Sequence, residues 1–275
     1  MVTWNAVTSA VFDALLAPFG HDPAWSPWFD LLVWSLLAGV LALWVYKKVS
    51  NQAAIAAVKD RIQANVLEIR LFRHDPLQVL VSAGKALARN AIYLGYNLVP
   101  MAVLTLPMLA VLSQLVANYA LDPVPEGSLQ MLELKLDPRS GVSPRDVKLE
   151  LPPGVALDAP PVRTADGEVF WRLRAETAGD HELVLRVGDE TVRKQLAVGG
   201  PHRKLAQLRT KSWEALLYPG EPALPRGSAV ESVSLAYPPR DLGPLPSGEL
   251  GVLAGFLFGS IAVGFALKGL FGVTL

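Results

Sequence analysis

The chain has 275 residues, 51% of them hydrophobic and 18% charged, with 25 basic residues balancing 25 acidic ones. Its apolar excess gathers in three blocks, which excludes one large water-soluble core and points to a small membrane bundle carrying one modest folded domain. There is no cysteine, so disulfides, thiolate chemistry and cysteine-based metal sites are excluded as well.

Residues 1–28 come first. Trp4, Val7, Val11, Phe12, Leu15 and Leu16 recur at helical spacing with Thr8, Ser9 and Asp13 between them. This pattern predicts an amphipathic helix, either lying at the membrane interface or packed on the spans. Residues 18–28 read as a proline-broken turn, with Trp25 and Trp28 as an interfacial aromatic belt. No basic segment or small-residue cleavage site marks a signal peptide here.

Residues 29–46 form the first predicted span, entered at Asp30 and left at Lys47-Lys48. The next segment, 47–90, carries eight basic side chains against three acidic ones, a net +5. By the positive-inside rule this segment is cytoplasmic and the amino terminus lies outside. Ile55, Val58, Ile62, Val66, Ile69 and Phe72 recur three or four apart, which predicts an amphipathic helix with a narrow coiled-coil-like seam. His74-Asp75-Pro76 breaks it, and a second helix with Leu77, Leu80, Leu87 and Leu94 follows, so the segment reads as a basic helical hairpin. Lys47, Lys48, Lys59, Arg61, Arg70 and Arg73 then face either anionic lipid headgroups or a ribosome, client chain or partner protein.

Residues 91–117 form the second predicted span, with Pro100 and Pro107 seven apart on nearly one face. Asn97, Thr105, Ser113 and Gln114 put amides and hydroxyls in or near hydrocarbon. They serve either as interhelical hydrogen bonds or as the lining of a hydrated groove.

Turn residues at 122–128 lead into a region of period-two alternation, seen in Leu132, Leu134 and Leu136 and again in Val147, Leu149 and Leu151. Turn signals recur at Asp137-Pro138, Pro152-Pro153-Gly154, Asp166-Gly167 and Gly188-Asp189. Residues 123–200 are therefore expected to form an extracytoplasmic all-β sandwich of six or seven strands. Around Gly179-Asp180-His181-Glu182-Leu183 it resembles a corner of bacterial immunoglobulin-like domains. Residues 201–249 read as a short amphipathic helix over 201–218, then a Pro/Gly-rich linker interrupted by one strand at 230–237. The third span, 250–267, lies between Glu249 and Lys268, and Gly251, Gly255 and Gly259 form a small-residue stripe for helix packing.

Chemistry-bearing constellations are missing. No phosphate-cradling glycine loop, metal-spaced ligand set or nucleophile elbow occurs, and the spans hold no interior Asp, Glu, Lys or Arg. We therefore expect neither an enzyme nor a cofactor, neither a small-molecule substrate nor nucleic-acid sequence recognition.

The order of external amino terminus, span, cytoplasmic hairpin, span and final span resembles the core of the YidC/Oxa-type insertase superfamily in its three-span form, with a β domain inserted. The resemblance covers 29–117 and, more weakly, 250–268. It runs through Leu71-Phe72-Arg73-His74-Asp75-Pro76 and the proline-containing Asn97-Leu98-Val99-Pro100-Met101 and Leu106-Pro107-Met108. It implies an integral protein of the bacterial inner membrane that assists insertion or assembly of nascent membrane proteins or other membrane subunits. It also implies a hydrophilic groove, for which Asn97, Thr105, Gln114 and, from the first span, Ser35 are the candidates. Two departures stand beside it: the first span lacks the basic residue usual in bacterial members, and a β domain between the second and third spans is unusual. A non-catalytic envelope scaffold, whose β domain binds a protein partner, is the other reading.

Overall fold

A computed structural model describes residues 2–16 and 27–273. Of the expected turn over 18–28, residues 18–26, Trp25 included, lie outside the described residues, and Pro27-Trp28 instead open α2. The elements are α1 (Val2–Leu16), α2 (Pro27–Val49), α3 (Gln52–Leu71), α4 (Pro76–Tyr119), strands β1 to β8 and α5 (Gly248–Phe271). Three of these helices, α2, α4 and α5, are long and apolar enough to cross a membrane, so the protein is an integral membrane protein with a β region. The chain divides into two compact units, one of Met1–Leu31 with Ala110–Gly255, the other of Leu32–Leu109 with Phe256–Leu275.

In the second of these units, helix ends are set by side chains. Ser50 Oγ donates to the Tyr46 carbonyl at 2.5 Å, and Asn51 caps α3 by accepting from Ala54 N–H at 3.1 Å. Only Ser50 and Asn51 separate α2 from α3. At the far end, Asp75 Oδ1 accepts from Leu77 N–H and Gln78 N–H at 3.1 and 3.2 Å, with Pro76 at the first helical position. The second hairpin helix and the second span, read as separate from the sequence, are one helix of 44 residues that runs through Pro100 and Pro107.

The hairpin seam also differs from the expected one. Ile55 and Val58 are buried, but two turns farther on the helix buries Asn65, leaving Val66 and Phe72 exposed. Asn65 accepts from Arg89 at 2.9 Å, and the same guanidinium nitrogen donates to the Arg61 carbonyl at 3.0 Å. Ser82 donates to Glu68 at 2.9 Å. Polar pairing therefore overrides the hydrophobic repeat in the upper hairpin, and this fixes its register.

In the other unit, eight strands form two antiparallel sheets. The larger contains β1 (Leu129–Leu136), β3 (Val155–Arg163), β4 (Glu168–Ala175), β7 (Leu208–Thr210) and β8 (Val230–Leu235), in the order β3-β4-β1-β8-β7. The smaller contains β2 (Val147–Glu150), β5 (Gly179–Val187) and β6 (Glu190–Val198), in the order β2-β5-β6. Alternation decides the inner faces: Leu132, Leu134, Val169, Trp171, Leu173, Leu183 and Leu185 are all at most 2% exposed. The β5–β6 hairpin closes through Gly188-Asp189, with Gly188 at φ +60°, where a Cβ would be strained.

The helix expected over 201–218 is not formed. Leu208–Thr210 pairs with β8 as a strand, Trp213–Leu216 makes a single 3-10 turn, and Trp213 is exposed. Residues 201–249 are thus not a linker. They supply two strands and the side chains that close the edge of β6. Along that edge Tyr237 donates to the Gln195 carbonyl at 3.1 Å and accepts from Ala197 N–H, and Arg209 donates to the Arg193 carbonyl. Burial raises the Tyr237 phenol well above its ordinary range.

The inner face of β6 carries one charge. Lys194 is fully buried and donates to the Ala206 carbonyl at 2.6 Å and to Glu221 at 2.8 Å, and Glu221 also accepts from Gln195 N–H. Burial pushes the Lys194 amine down, against the pull of Glu221. Removing one partner strands the other in low dielectric, at about 3–5 kcal/mol. Glu221→Gln is expected to lower hydrogen-exchange protection along β6 in the full-length protein, with Lys194→Met/Glu221→Leu restoring most of it.

Two surface carboxyls on the same unit set its acid response. A hydrogen bond from Arg174, beside Arg172, holds Asp158 below the usual carboxylate range, and Lys211, then the Arg139 N–H, does so for Asp137. Their folded values lie below the unfolded ones. The stabilisation is therefore present above the ordinary carboxylate pKa of about 4 and is lost as pH falls through the folded values. Asp137→Asn/Asp158→Asn should show a shallower loss of stability between pH 5 and 2 than the parent in thermal melts.

Candidate functional site

In the Leu32–Leu109/Phe256–Leu275 unit, α2 and α5 meet through small residues. A Cβ on Gly259 would lie 2.7 Å from Ser35 Cβ, and one on Gly39 would lie 2.9 Å from the Ser260 carbonyl oxygen. Ser35 and Gly39, four apart on α2, therefore let α5 approach closely. Ser35 is fully buried in this crossing and so lines no groove. Of the expected glycine stripe, only Gly259 meets α2 in this unit. Within the other unit, Gly255 lies under Leu245 and Leu31, and Gly251 lies under the Pro246 carbonyl. The stripe thus packs inside the molecule at every position.

Asn97 and Tyr46 join α4 to α2. The Tyr46 hydroxyl donates to Asn97 Oδ1, and the Asn97 amide donates to the Tyr93 carbonyl at 2.7 Å. The pair sits one residue before Lys47-Lys48, both of which are exposed. Around it Leu43, Tyr46, Ile55 and Val273 form a buried cluster, with Tyr93, Leu104, Leu267 and Phe271 packed against it. Tyr46 was not singled out by the sequence reading. Its position just before a lysine pair, opposite an amide-bearing span, was the available signal.

Thr105 is exposed and donates to the Met101 carbonyl of its own helix at 2.8 Å. At about 100° per residue, Thr105 stands roughly 80° around α4 from Asn97, so the two do not share a face. Gln114 belongs to the other unit. It is buried there and donates to Thr8 and Ser9 of α1 at 3.3 and 3.2 Å, its Oε1 having no hydrogen-bond partner among the described residues. Lys204 donates to the same Ser9 at 3.0 Å and pairs with Asp13 at 3.4 Å, while burial lowers its amine. α1 is therefore packed on the end of α4 through its polar side. The four groove candidates are not brought together. Each is used in a local or interhelical contact.

What the bundle does leave open is apolar. A crevice of about 180 Å³ lies among α2, α4 and α5, lined by Gly39, Ala42, Leu43, Leu104, Gly264 and Phe265 among others. A Cβ added at Gly264 would meet nothing within 4 Å. The basic hairpin residues Lys47, Lys48, Arg61, Arg70 and Arg73 are exposed and Lys59 is half-buried. Arg89, by contrast, is turned inward onto α3.

The β region holds a second cavity, of about 290 Å³, lined by Asp180, Arg203, Lys204, Glu221 and Tyr237 among others. Its charges are already paired: Arg203 with Asp180 at 2.6 Å, Lys204 with Asp13, and Glu221 with Lys194. Among the described residues, no group of three or more His, Cys, Asp or Glu side chains could hold a metal ion.

No family model matches the chain, and no curated protein matches it. Among solved structures it is similar to domains 4 and 5 of the S-layer protein SbsC, at 13% identity over 29% of this chain and 47% of that one. The chain thus spans about half the length of that structure, at a TM-score of 0.22, a level that bears on neither fold nor function.

The tight α2–α5 crossing and the open crevice predict opposite responses to added bulk. Gly259→Val should destabilise the bundle by about 1–3 kcal/mol through overpacking, lowering its unfolding midpoint in a detergent titration. Gly264→Ala, facing open space, should raise that midpoint slightly, because alanine favours the helix over glycine by up to about 1 kcal/mol.

Proposed function

We propose that this protein is an insertase-like or chaperone-like membrane protein, related in layout to the YidC/Oxa superfamily, that receives apolar helices of other membrane proteins. The observation that carries the reading is the apolar crevice among α2, α4 and α5, whose α4 wall continues beyond the Lys47-Lys48 level as one arm of the hairpin. A client helix needs an apolar receiving surface at bilayer depth and a route to it from water, and one continuous helix offers both. In this reading the protein sits in the bacterial inner membrane. The hairpin and carboxyl end are cytoplasmic, the amino terminus and β domain external, and the exposed Lys47, Lys48, Arg61, Arg70 and Arg73 face headgroups or the client. The reading departs from the family's hydrophilic groove, because Ser35, Asn97, Thr105 and Gln114 are committed to contacts within the chain.

The β region supports a second reading, a scaffold whose external immunoglobulin-like sandwich binds a protein partner. Two antiparallel sheets with opposed polar and apolar faces favour such a sandwich. Leu129, Met131, Leu157 and Val162 of the larger sheet are 46–62% exposed, an apolar surface suited to docking.

The two readings separate by crosslinking. A photoreactive residue at Ala42, in the crevice, is expected to trap nascent membrane helices during synthesis in cells. No client adduct at Ala42, together with a stable complex captured through residues 126–200, would replace the first reading with the second.

A further inference from the structure

The crevice among α2, α4 and α5 offers no hydrogen-bonding group to an occupant. Of the two hydroxyls in its lining, that of Tyr46 donates to Asn97 and that of Ser260 to the Leu257 carbonyl of its own helix at 3.1 Å. What enters it is therefore hydrocarbon. A helix about 10 Å across can only lie along a space of this size, whereas a single acyl chain can enter it.

One end of the crevice carries a cation on the crevice face itself. Ser260, Ile261, Gly264 and Phe265 spread over roughly 140° around α5, and Lys268 falls near the middle of that arc, about 6 Å beyond Gly264 along the axis. Its ammonium stands 5.0 Å from the centre of the Phe265 ring, which is part of the lining. Lys268 is half-buried, and no carboxylate pairs with it among the described residues. Leu267 and Phe271, on either side of it, pack against the cluster containing Tyr46. Lys268 is thus at the level of Tyr46 and of the exposed Lys47 that follows it.

No acid offsets these charges. Asp30 and Glu249 lie in the first turns of α2 and α5, at the opposite end, and α4 contains no acidic residue. Asp60 of α3 stands about 140° around its helix from Ile55, the α3 residue buried in that cluster.

We propose that the crevice binds an anionic phospholipid, with one acyl chain among α2, α4 and α5 and the phosphate on Lys268. The apolar lining alone would take a chain from any lipid. The cation one turn past the lining selects the headgroup, because phosphatidylglycerol presents its phosphate unopposed, whereas the trimethylammonium of phosphatidylcholine competes for the same phosphate. The lipid site does not rest on the crevice being a client site. Where client helices do enter, they displace the chain.

The full-length protein in phosphatidylcholine vesicles is doped with phosphatidylglycerol or phosphatidylcholine carrying a diazirine in one acyl chain, irradiated, and mapped by peptide mass spectrometry. Phosphatidylglycerol is expected to label Ala42, Leu43, Ile261 and Gly264 about fivefold more than phosphatidylcholine, the preference that one lysine near the surface supplies. Lys268→Gln should abolish the preference, and Lys48→Gln, about 180° around α2 from Gly39, should keep it. Gly264→Leu, grown from a position with open space, should remove the adducts of both lipids. Equal labelling by the two lipids, or a preference that survives Lys268→Gln, would overturn the site. So would equal labelling of the exposed Leu37 and Trp44 on the far side of α2, the mark of boundary lipid alone. Client adducts at Ala42 are read during synthesis in cells and do not require Lys268, so failure here and failure of the client reading are told apart.

Discussion

One helix crosses every boundary in this molecule. At about 1.5 Å per residue, the 44 residues of α4 extend roughly 66 Å, against a hydrocarbon thickness near 30 Å. A helix twice as long as the membrane must have ends that are held by something other than lipid. At the amino end the holding is local: Asp75 closes the first turn, and α3 packs alongside through Asn65–Arg89 and Glu68–Ser82. At the carboxyl end it comes from the β-bearing unit. The Ala117 carbonyl accepts from Leu205 N–H and that of Ala120 from Arg240 N–H, both at 2.9 Å, and His202 meets the Asn118 carbonyl. The last turn of a helix leaves four carbonyls without intrahelical donors. Here the Leu205 N–H and the His202 ring take two of them, at Ala117 and Asn118.

That constraint explains why the polar residues of the second span do not form a groove. An amide in or near hydrocarbon is stabilised only when its hydrogen bonds are made. Asn97 makes them to Tyr46 and to its own helix, Thr105 to Met101, and Gln114 to α1. With these groups bonded within the chain, the crevice left over is apolar, lined by Leu43, Leu104, Ile261 and Phe265 with Gly39, Ala42 and Gly264. A surface of that composition lowers no cost for polar segments. It favours apolar helices through close packing, with the Gly39–Gly259 level drawing α2 and α5 together and the Gly264 level standing open.

Much of this was legible in the chain because the membrane restricts the alternatives. Apolar blocks bounded by Asp30, Lys47-Lys48, Glu249 and Lys268 read correctly as long helices, and Asp75-Pro76 read correctly as the hairpin turn. The seam was misread one residue off, at Val66 instead of Asn65. Hydrophobic periodicity assigns the inner face to the apolar side chain and has no term for a distant Arg89 that makes an asparagine the better occupant. Residues 201–218 failed for a related reason. Trp213, Leu216, Leu217 and Tyr218 suit the packed face of a helix, yet Leu208–Thr210 pairs instead with the edge of β8. Tertiary pairing decided both cases, and neither partner was near in sequence.

The same logic bears on the buried Lys194–Glu221 pair. Residues 201–249 fold onto the β region as two strands with long irregular stretches between them, an arrangement weak in intrinsic preference. Lys194 joins β6 to the Ala206 carbonyl and to Glu221, Glu221 returns a bond to Gln195, and Tyr237 and Arg209 occupy carbonyls along the same edge. Four side-chain bonds to the free backbone edge of β6, at Arg193 O, Gln195 N, Gln195 O and Ala197 N, do what a further strand would do elsewhere, and they block that edge against pairing with another chain. A buried ion pair is rarely the most stabilising choice at such a site. Its use here is to admit only one seating of residues 204–237 against β6, because any other seating leaves a lysine buried without its carboxylate.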